Sequence, residues 1–295
     1  MFNRILNLIK NINYLSKNRL WNLRESDISF LTEKIIDDSL AERNYRNVNL
    51  KYPKILNCVD SLNILKKSPK SLARFGDGEI KLILGNDQPF QRYDKRLAER
   101  MLSMIKNQND DIYIAINSGY FTLRSSLSDE FSPYYLRNGF EFRRFLLSVM
   151  DYDNVYLTTQ WTDLWRSHTD ENDLFANEVC ELFKDKSVFL VAGEGVTEKL
   201  QFNVFYMASS LTKFYGPSKN AFNCYDDLLS EIKRKASKEQ LICIILGMTS
   251  KVLVEDLTEA GYLAFDVGHL AKYYDYYKRD VKRTSDEVSK FFAPD

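Results

Sequence analysis

The sequence predicts an α/β fold, with a mostly parallel sheet flanked by helices on both faces and a helical N-terminal extension. Three observations lead there. Short, nearly wholly apolar runs recur at 72–75, 112–116, 155–159, 188–192, 241–246 and 263–267, and strands that are apolar on both sides suit a sheet covered on both faces. Between them lie stretches of helical periodicity, such as Lys95 to Lys106 and Val252 to Ala260, and this alternation indicates parallel pairing. A length of 295 residues, 44% of them hydrophobic, is enough for one large α/β domain or two small ones.

Residues 1–49 carry no strand signal and read as a polar, charged helical extension. The pattern of a catalytic domain runs from residue 50 to residue 295 without a linker rich in Gly, Pro or Ser. Within the extension, Phe2, Ile5, Leu6, Ile9 and Ile12 follow helical spacing, with Arg4, Asn7, Lys10 and Asn11 mostly opposite. The apolar run is too interrupted for a secretory signal. Such a helix packs on its own domain, packs on another copy of the chain in a homo-oligomer, or lies on a membrane surface as a peripheral contact.

Lys+Arg and Asp+Glu both number 41, and this balance argues against a general nucleic-acid binder, which carries a basic excess. The four cysteines, Cys58, Cys180, Cys224 and Cys243, form no C-x-x-C pair, and only His168 and His269 could join them. A zinc site is therefore not expected. Free thiols fit a reducing compartment, so the expected location is cytoplasmic, or the inner face of the membrane if the N-terminal helix binds there. No apolar stretch has the length of a membrane span.

Ligands of parallel sheets bind beyond the carboxyl ends of the strands, and four strand ends could carry chemistry. After the first run comes Arg74-Phe75-Gly76-Asp77-Gly78-Glu79. Its glycines allow a tight turn and a close approach to a ligand. In an extended or turning segment the carboxylates of Asp77 and Glu79 can converge on one hard cation, Mg²⁺ or Mn²⁺, shared with substrate phosphates. Arg74 could add charge-assisted bonds to those phosphates. Gly-Asp-Gly is also an ordinary turn, and Glu at a helix start is favoured by the helix dipole. A rival pair, Asp151 and Asp153, precedes a strand instead of following one.

The second end, Gly193-Glu194-Gly195-Val196-Thr197-Glu198, begins like a dinucleotide fingerprint but has Glu198 where the third glycine belongs, which argues against an NAD site. It reads as a sharp turn into a helix whose N-terminus either is a plain turn or faces a diphosphate. The third, Gly247-Met248-Thr249-Ser250, offers Thr249 or Ser250 as a helix cap, or N–H groups for a phosphate. The fourth is Asp266-Val267-Gly268-His269, followed by the cluster Tyr273, Tyr274, Asp275, Tyr276 and Tyr277. These tyrosines could stack on sugars or bases, although packing against the sheet is their default.

Arg74 to Glu79, followed by Phe90-Gln91-x-Tyr93-Asp94, resembles the N-terminal signature of the GT-D glycosyltransferases, a family of streptococcal glycosylation loci once classed as a domain of unknown function. Three later segments agree in order: Pro217 to Phe222 with Tyr225-Asp226, the Leu246 to Thr249 turn, and Gly261-Tyr262 leading to Asp266 through His269. The likeness covers roughly residues 50–277. It implies a Rossmann-like sheet, a divalent Mn²⁺ or Mg²⁺ held by Asp77 and Glu79, and a UDP-sugar donor. By position, Arg74 and Gly76 face the diphosphate, with Gly193, Glu194, Thr249 and Asp266 at neighbouring strand ends, while Ser218, Lys219 and Asn220 border the nucleotide. His269 and Asp275 lie near the acceptor, with Asp275 a candidate general base.

The family pattern breaks at Thr197, where the family has an arginine, at the following Lys199, Gln201, Phe202 and Asn203, and around Trp161 to Arg166. The implied function is transfer of a hexose, glucose among the candidates, to a glycan, a glycoprotein or a lipid-linked oligosaccharide. The alternative is a nucleotide-sugar-binding protein without transferase activity.

Overall fold

The structure, a computed structural model, describes residues 53–121, 132–166 and 168–292. The N-terminal helix expected over residues 1–49 lies outside the described residues. Residues 55–117 and 155–292 form one compact unit, and the described residues 118–121 and 132–154 belong to another.

The strands are β1 (Lys54–Ile55), β2 (Ser71–Phe75), β3 (Ile112–Ile116), β4 (Val155–Thr158), β5 (Ser187–Gly193), β6 (Ser210–Gly216), β7 (Leu241–Ile245) and β8 (Leu263–Asp266). They form one sheet in the order β1-β4-β3-β2-β8-β7-β5-β6. Pairing is parallel at every step from β4 to β6. The six apolar runs are its inner strands. All five residues of β7 are buried, and full burial of a Leu, Ile or Val side chain contributes about 1.5–3 kcal/mol relative to exposure. The edge strand β6 has no apolar run, because most of its residues are exposed. What holds it is a seven-residue register with β5, Ser187 opposite Ser210 through Gly193 opposite Gly216.

The helices are α1 (Cys58–Lys67), α2 (Asp77–Ile83), α3 (Lys95–Lys106), α4 (Ser132–Val149), α5 (Asp170–Glu181), α6 (Tyr225–Lys235), α7 (Thr249–Glu259), α8 (Leu270–Lys278) and α9 (Ser285–Phe292). α3 shows how sequence makes them. Asp94 caps it by accepting the Leu97 N–H at 3.0 Å, and Leu97, Ala98, Met101, Met104 and Ile105 make its buried face. α7 starts three residues before the expected Val252 and is buried continuously from Thr249 to Val254. Gly261, at φ +80°, turns the chain after it. The helix expected after Gly193 is absent: residues 194–199 are turns. No helix among the described residues is long and apolar enough to cross a membrane.

β2 positions the site. The chain leaves it toward β3 on one side, and its other neighbour is β8, the last strand to be made. Such reversals of strand order are where parallel sheets open a crevice.

Candidate active site

Asp266, the last residue of β8, is 1% exposed. Its Oδ2 accepts the backbone N–H of Arg74 at 3.3 Å, and its Oδ1 accepts that of Gly268 at 3.0 Å. It thus ties the end of β2 to the turn after β8. Beside it lies a buried cation that sequence reasoning missed. Lys251, two residues into α7, places Nζ 2.6 Å from Glu79 Oε1 and 3.0 Å from Asp266 Oδ2, and donates to the Gly247 carbonyl at 3.0 Å. Three N–H donors meet three oxygens.

Burial alone would lower the Lys251 ammonium, but Asp266 and Glu79 outweigh it and hold it above its ordinary value. Burial would likewise raise the Glu79 carboxyl, and Lys251 with the Gly76 N–H holds it below. The signal available in the sequence was a lysine as the one charged residue in the run Gly247 to Val254.

The expected convergence of Asp77 and Glu79 does not occur, because α2 begins at Asp77 and residues two apart on a helix do not face each other. Glu79 turns inward. Its Oε2 accepts the Gly76 N–H at 2.8 Å, and Oε1 holds Lys251, so both oxygens are engaged. The Gly76 N–H is thereby already engaged within the chain. Asp77 turns outward, its side chain 50% exposed and 3.5 Å from Lys81 Nζ. An exposed pair of that kind is weak.

The Arg74 guanidinium donates through Nη2 to the Thr159 carbonyl at 3.0 Å and to Thr162 Oγ1 at 2.8 Å. Both lie in a 3₁₀ turn directly after β4. It presses on Gly268, where an added Cβ would stand 1.7 Å from Arg74 Nη1, and Gly268 itself sits at φ +51°. Arg74 therefore clamps three strand ends together. Its Nε is buried without a partner.

His269 follows, half-buried. Its ring lies 5.6–6.4 Å from those of Phe90, Tyr273, Phe291 and Phe292. Burial first, then the Arg74 and Lys272 cations, push its pKa down to about 4, so the imidazole is neutral at pH 7.

Asp275 has a different task from the one expected. It is 1% exposed. Its Oδ1 accepts the N–H groups of Gln201 (2.7 Å) and Phe202 (3.0 Å), and Oδ2 pairs with Arg279 at 3.1 Å. A buried carboxylate so engaged anchors the 201–202 turn and is not placed to take an acceptor's proton. Thr249 is also fully buried, its hydroxyl 3.5 Å from Gln91 Oε1, and it does not cap α7.

At the ends of β5 and β6 the geometry is steric. A Cβ on Gly193 would meet Ser218 Cα at 2.8 Å, and Glu194 N–H donates to the Gly216 carbonyl at 2.9 Å. Asn220, in the left-handed region at φ 53°, accepts the Arg92 N–H on Oδ1 at 2.8 Å. Lys219 is exposed. The buried Gln91 accepts the Phe222 N–H at 3.3 Å, which joins the 86–94 loop to the end of β6. Gly193, Ser218 and Asn220 are therefore brought together, and the Asn220 oxygen is already committed to the loop.

A divalent ion fits this face in one way. Among the described residues no three His, Cys, Asp or Glu side chains converge on one point. Glu79 is engaged, so Asp77 is the motif's open carboxylate, and the remaining ligands would be oxygens of a bound phosphate.

The family model for the glycosyltransferase GT-D fold matches residues 72–293. A probable glycosyl transferase, Gly, of Streptococcus gordonii is 28% identical over 242 residues, 81% of this chain and 34% of its own length. The glycosyltransferase GlyD of Streptococcus pneumoniae serotype 4 is 26% identical over 76% of this chain and 27% of its own length. The chain thus spans about a third of the length of the curated relatives it matches. A solved structure described as the highly conserved domain of unknown function 1792, with a distinct glycosyltransferase fold, superposes with a TM-score of 0.71 at 30% identity, covering 79% of this chain and 85% of that one. A glycosyltransferase structure from Streptococcus sanguinis shares the fold, with a TM-score of 0.72 at 23% identity over 82% of this chain and 93% of its own. With the parallel sheet, the reversal of strand order at β2 and these matches together, the chain belongs to the family of glycosyltransferases with the GT-D fold.

Proposed function

We propose that the chain transfers a hexose from a UDP-sugar to a hydroxyl of a glycan, glycoprotein or lipid-linked oligosaccharide, with Mn²⁺ or Mg²⁺ held at Asp77 and by the donor's diphosphate. The observation that carries this reading is the half-exposed Asp77 carboxylate at the start of α2, just past β2, between Arg74 and the Glu79 that holds the buried Lys251. The bound ion would supply Lewis-acid stabilisation of the leaving diphosphate.

The chain's own residues do the rest. Arg74 and Lys251 fix the turns after β2, β4, β7 and β8, so that the strand ends need no reorganisation during the reaction. His269, neutral at pH 7, is the group suited to accept the proton of the attacking hydroxyl. Its aromatic surround offers apolar ring faces to a sugar. Gly193 and Ser218 shape the nucleotide end.

The test is a panel of UDP-sugars, glucose first, with Mn²⁺ or EDTA, scored for hydrolysis and for transfer to lipid-linked and glycan acceptors. Turnover of one donor that EDTA abolishes is expected. Saturable UDP binding with no turnover across the panel would instead assign the non-catalytic, nucleotide-sugar-binding reading.

A further inference from the structure

We infer that Lys251 is a resident cation of the site: it fills the oxygen cage of Glu79, Asp266 and Gly247, so that Glu79 positions the cluster while Asp77 alone of the motif's two acids is open to a divalent ion. Three observations carry this. Nζ lies within 3.0 Å of Glu79 Oε1, Asp266 Oδ2 and the Gly247 carbonyl oxygen. Two carboxylates and a carbonyl are the oxygen set that hard divalent cations prefer. All three groups are then hydrogen-bonded by a single ammonium, on a residue that is 4% exposed, which offsets one of the two negative charges and has no donor left over.

A second cation in the same cage would have to displace a lysine fixed by the packing of α7, in which Thr249 through Val254 are buried. Glu79 could reach an ion at Asp77 only by leaving Lys251 and the Gly76 N–H. The cluster therefore carries its positive charge in the sequence. The inference rests on the reading that the ion sits at Asp77, but its test does not depend on that reading.

Removing the ammonium should turn the cage into a metal site. Lys251→Ala vacates the volume of the side chain and leaves α7 a good helix former. Without any nucleotide, this variant should bind Mn²⁺ at least about tenfold more tightly than the wild type, and Mn²⁺ should raise its melting temperature. The wild-type temperature should not move, and the double variant Glu79→Gln/Lys251→Ala should lose the gain. Mn²⁺ that affects Lys251→Ala no more than wild type would overturn the inference.

Because a buried substitution can prevent folding, Glu79→Gln provides a second arm. Its affinity for Mn²⁺ with UDP should stay within about threefold of wild type, whereas Asp77→Asn should lose tenfold or more. Equal losses in both would overturn the inference. If wild type forms no complex with Mn²⁺ and UDP, the reading at Asp77 fails, and the nucleotide-free arm on Lys251→Ala still decides the role of the lysine.

Discussion

The strand ends of β2, β7 and β8 and those of β5 and β6 face the same edge of one parallel sheet, yet they are built on different physics. At the first, charges are buried and paired: Lys251 among Glu79, Asp266 and the Gly247 carbonyl, with the Arg74 guanidinium held on a neighbouring turn. At the second, backbone meets backbone. Gly193 lies against Ser218, and Asn220 takes a left-handed conformation to hold the 92 amide. The difference teaches that the first end is sensitive to charge at constant shape, while the second is sensitive to shape at constant charge.

The largest expected break in that contrast is Lys251→Met, which keeps bulk and removes charge. It leaves two buried carboxylates unpaired and should cost about 3–5 kcal/mol, read from the urea midpoint at pH 7. A loss below about 1 kcal/mol would mean that the lysine does not hold the two carboxylates in place. Next comes Gly193→Ala, which adds a methyl 2.8 Å from Ser218 Cα and should cost about 1–3 kcal/mol by overpacking. That cost should not vary with salt or pH, since no charge is involved.

The pH dependence separates the two ends further. His269 is held down at about 4, against an ordinary 6.5. The unfolded chain therefore takes up the proton first, and stability should fall as pH drops from 6.5 toward 4. His269→Gln should flatten that slope in pH-dependent melting curves. The Glu79 carboxyl is depressed below 4.5, so its contribution is present above that pH and is lost as pH falls through the lower folded value. Lys251 is raised above 10.5, so its contribution is complete below that pH and is lost as pH rises through the higher folded value. Stability should be flat between about pH 7 and 8 and fall on both sides, on the alkaline side first because burial holds the thiols of Cys180 and Cys243 above their ordinary value. The smallest expected effect on stability is that of Asp77→Asn, within about 0.5 kcal/mol, because the side chain is half exposed and its partner distant.

The parallel sheet was legible because its inner strands are apolar on both faces, and the strand ends followed from that. β6 was not, because an edge strand held by backbone pairing needs no apolar run. The Asp77 and Glu79 motif was legible as a place, but not as a geometry. Whether 77–79 is extended or helical decides whether the two carboxylates converge, and the helix sends them apart. Asp275 was a candidate general base only by its position in the family resemblance. Its carboxylate is consumed by backbone N–H groups at 201–202, 73 or 74 residues away in sequence, and no local pattern announces that contact. Lys251 left one readable trace, a lone charge in the run Gly247 to Val254 on a sheet-facing helix. Its partners come from β8 and α2 and appear only once the strands are ordered.

Calorimetric titration of UDP with Mn²⁺ into wild type and Asp77→Asn bears most directly on the proposed donor site at the end of β2. Saturable binding to wild type is expected, weakened at least about tenfold in Asp77→Asn with the urea midpoint of the variant unchanged. Equal affinity in the two proteins, or binding that EDTA leaves intact, would contradict it.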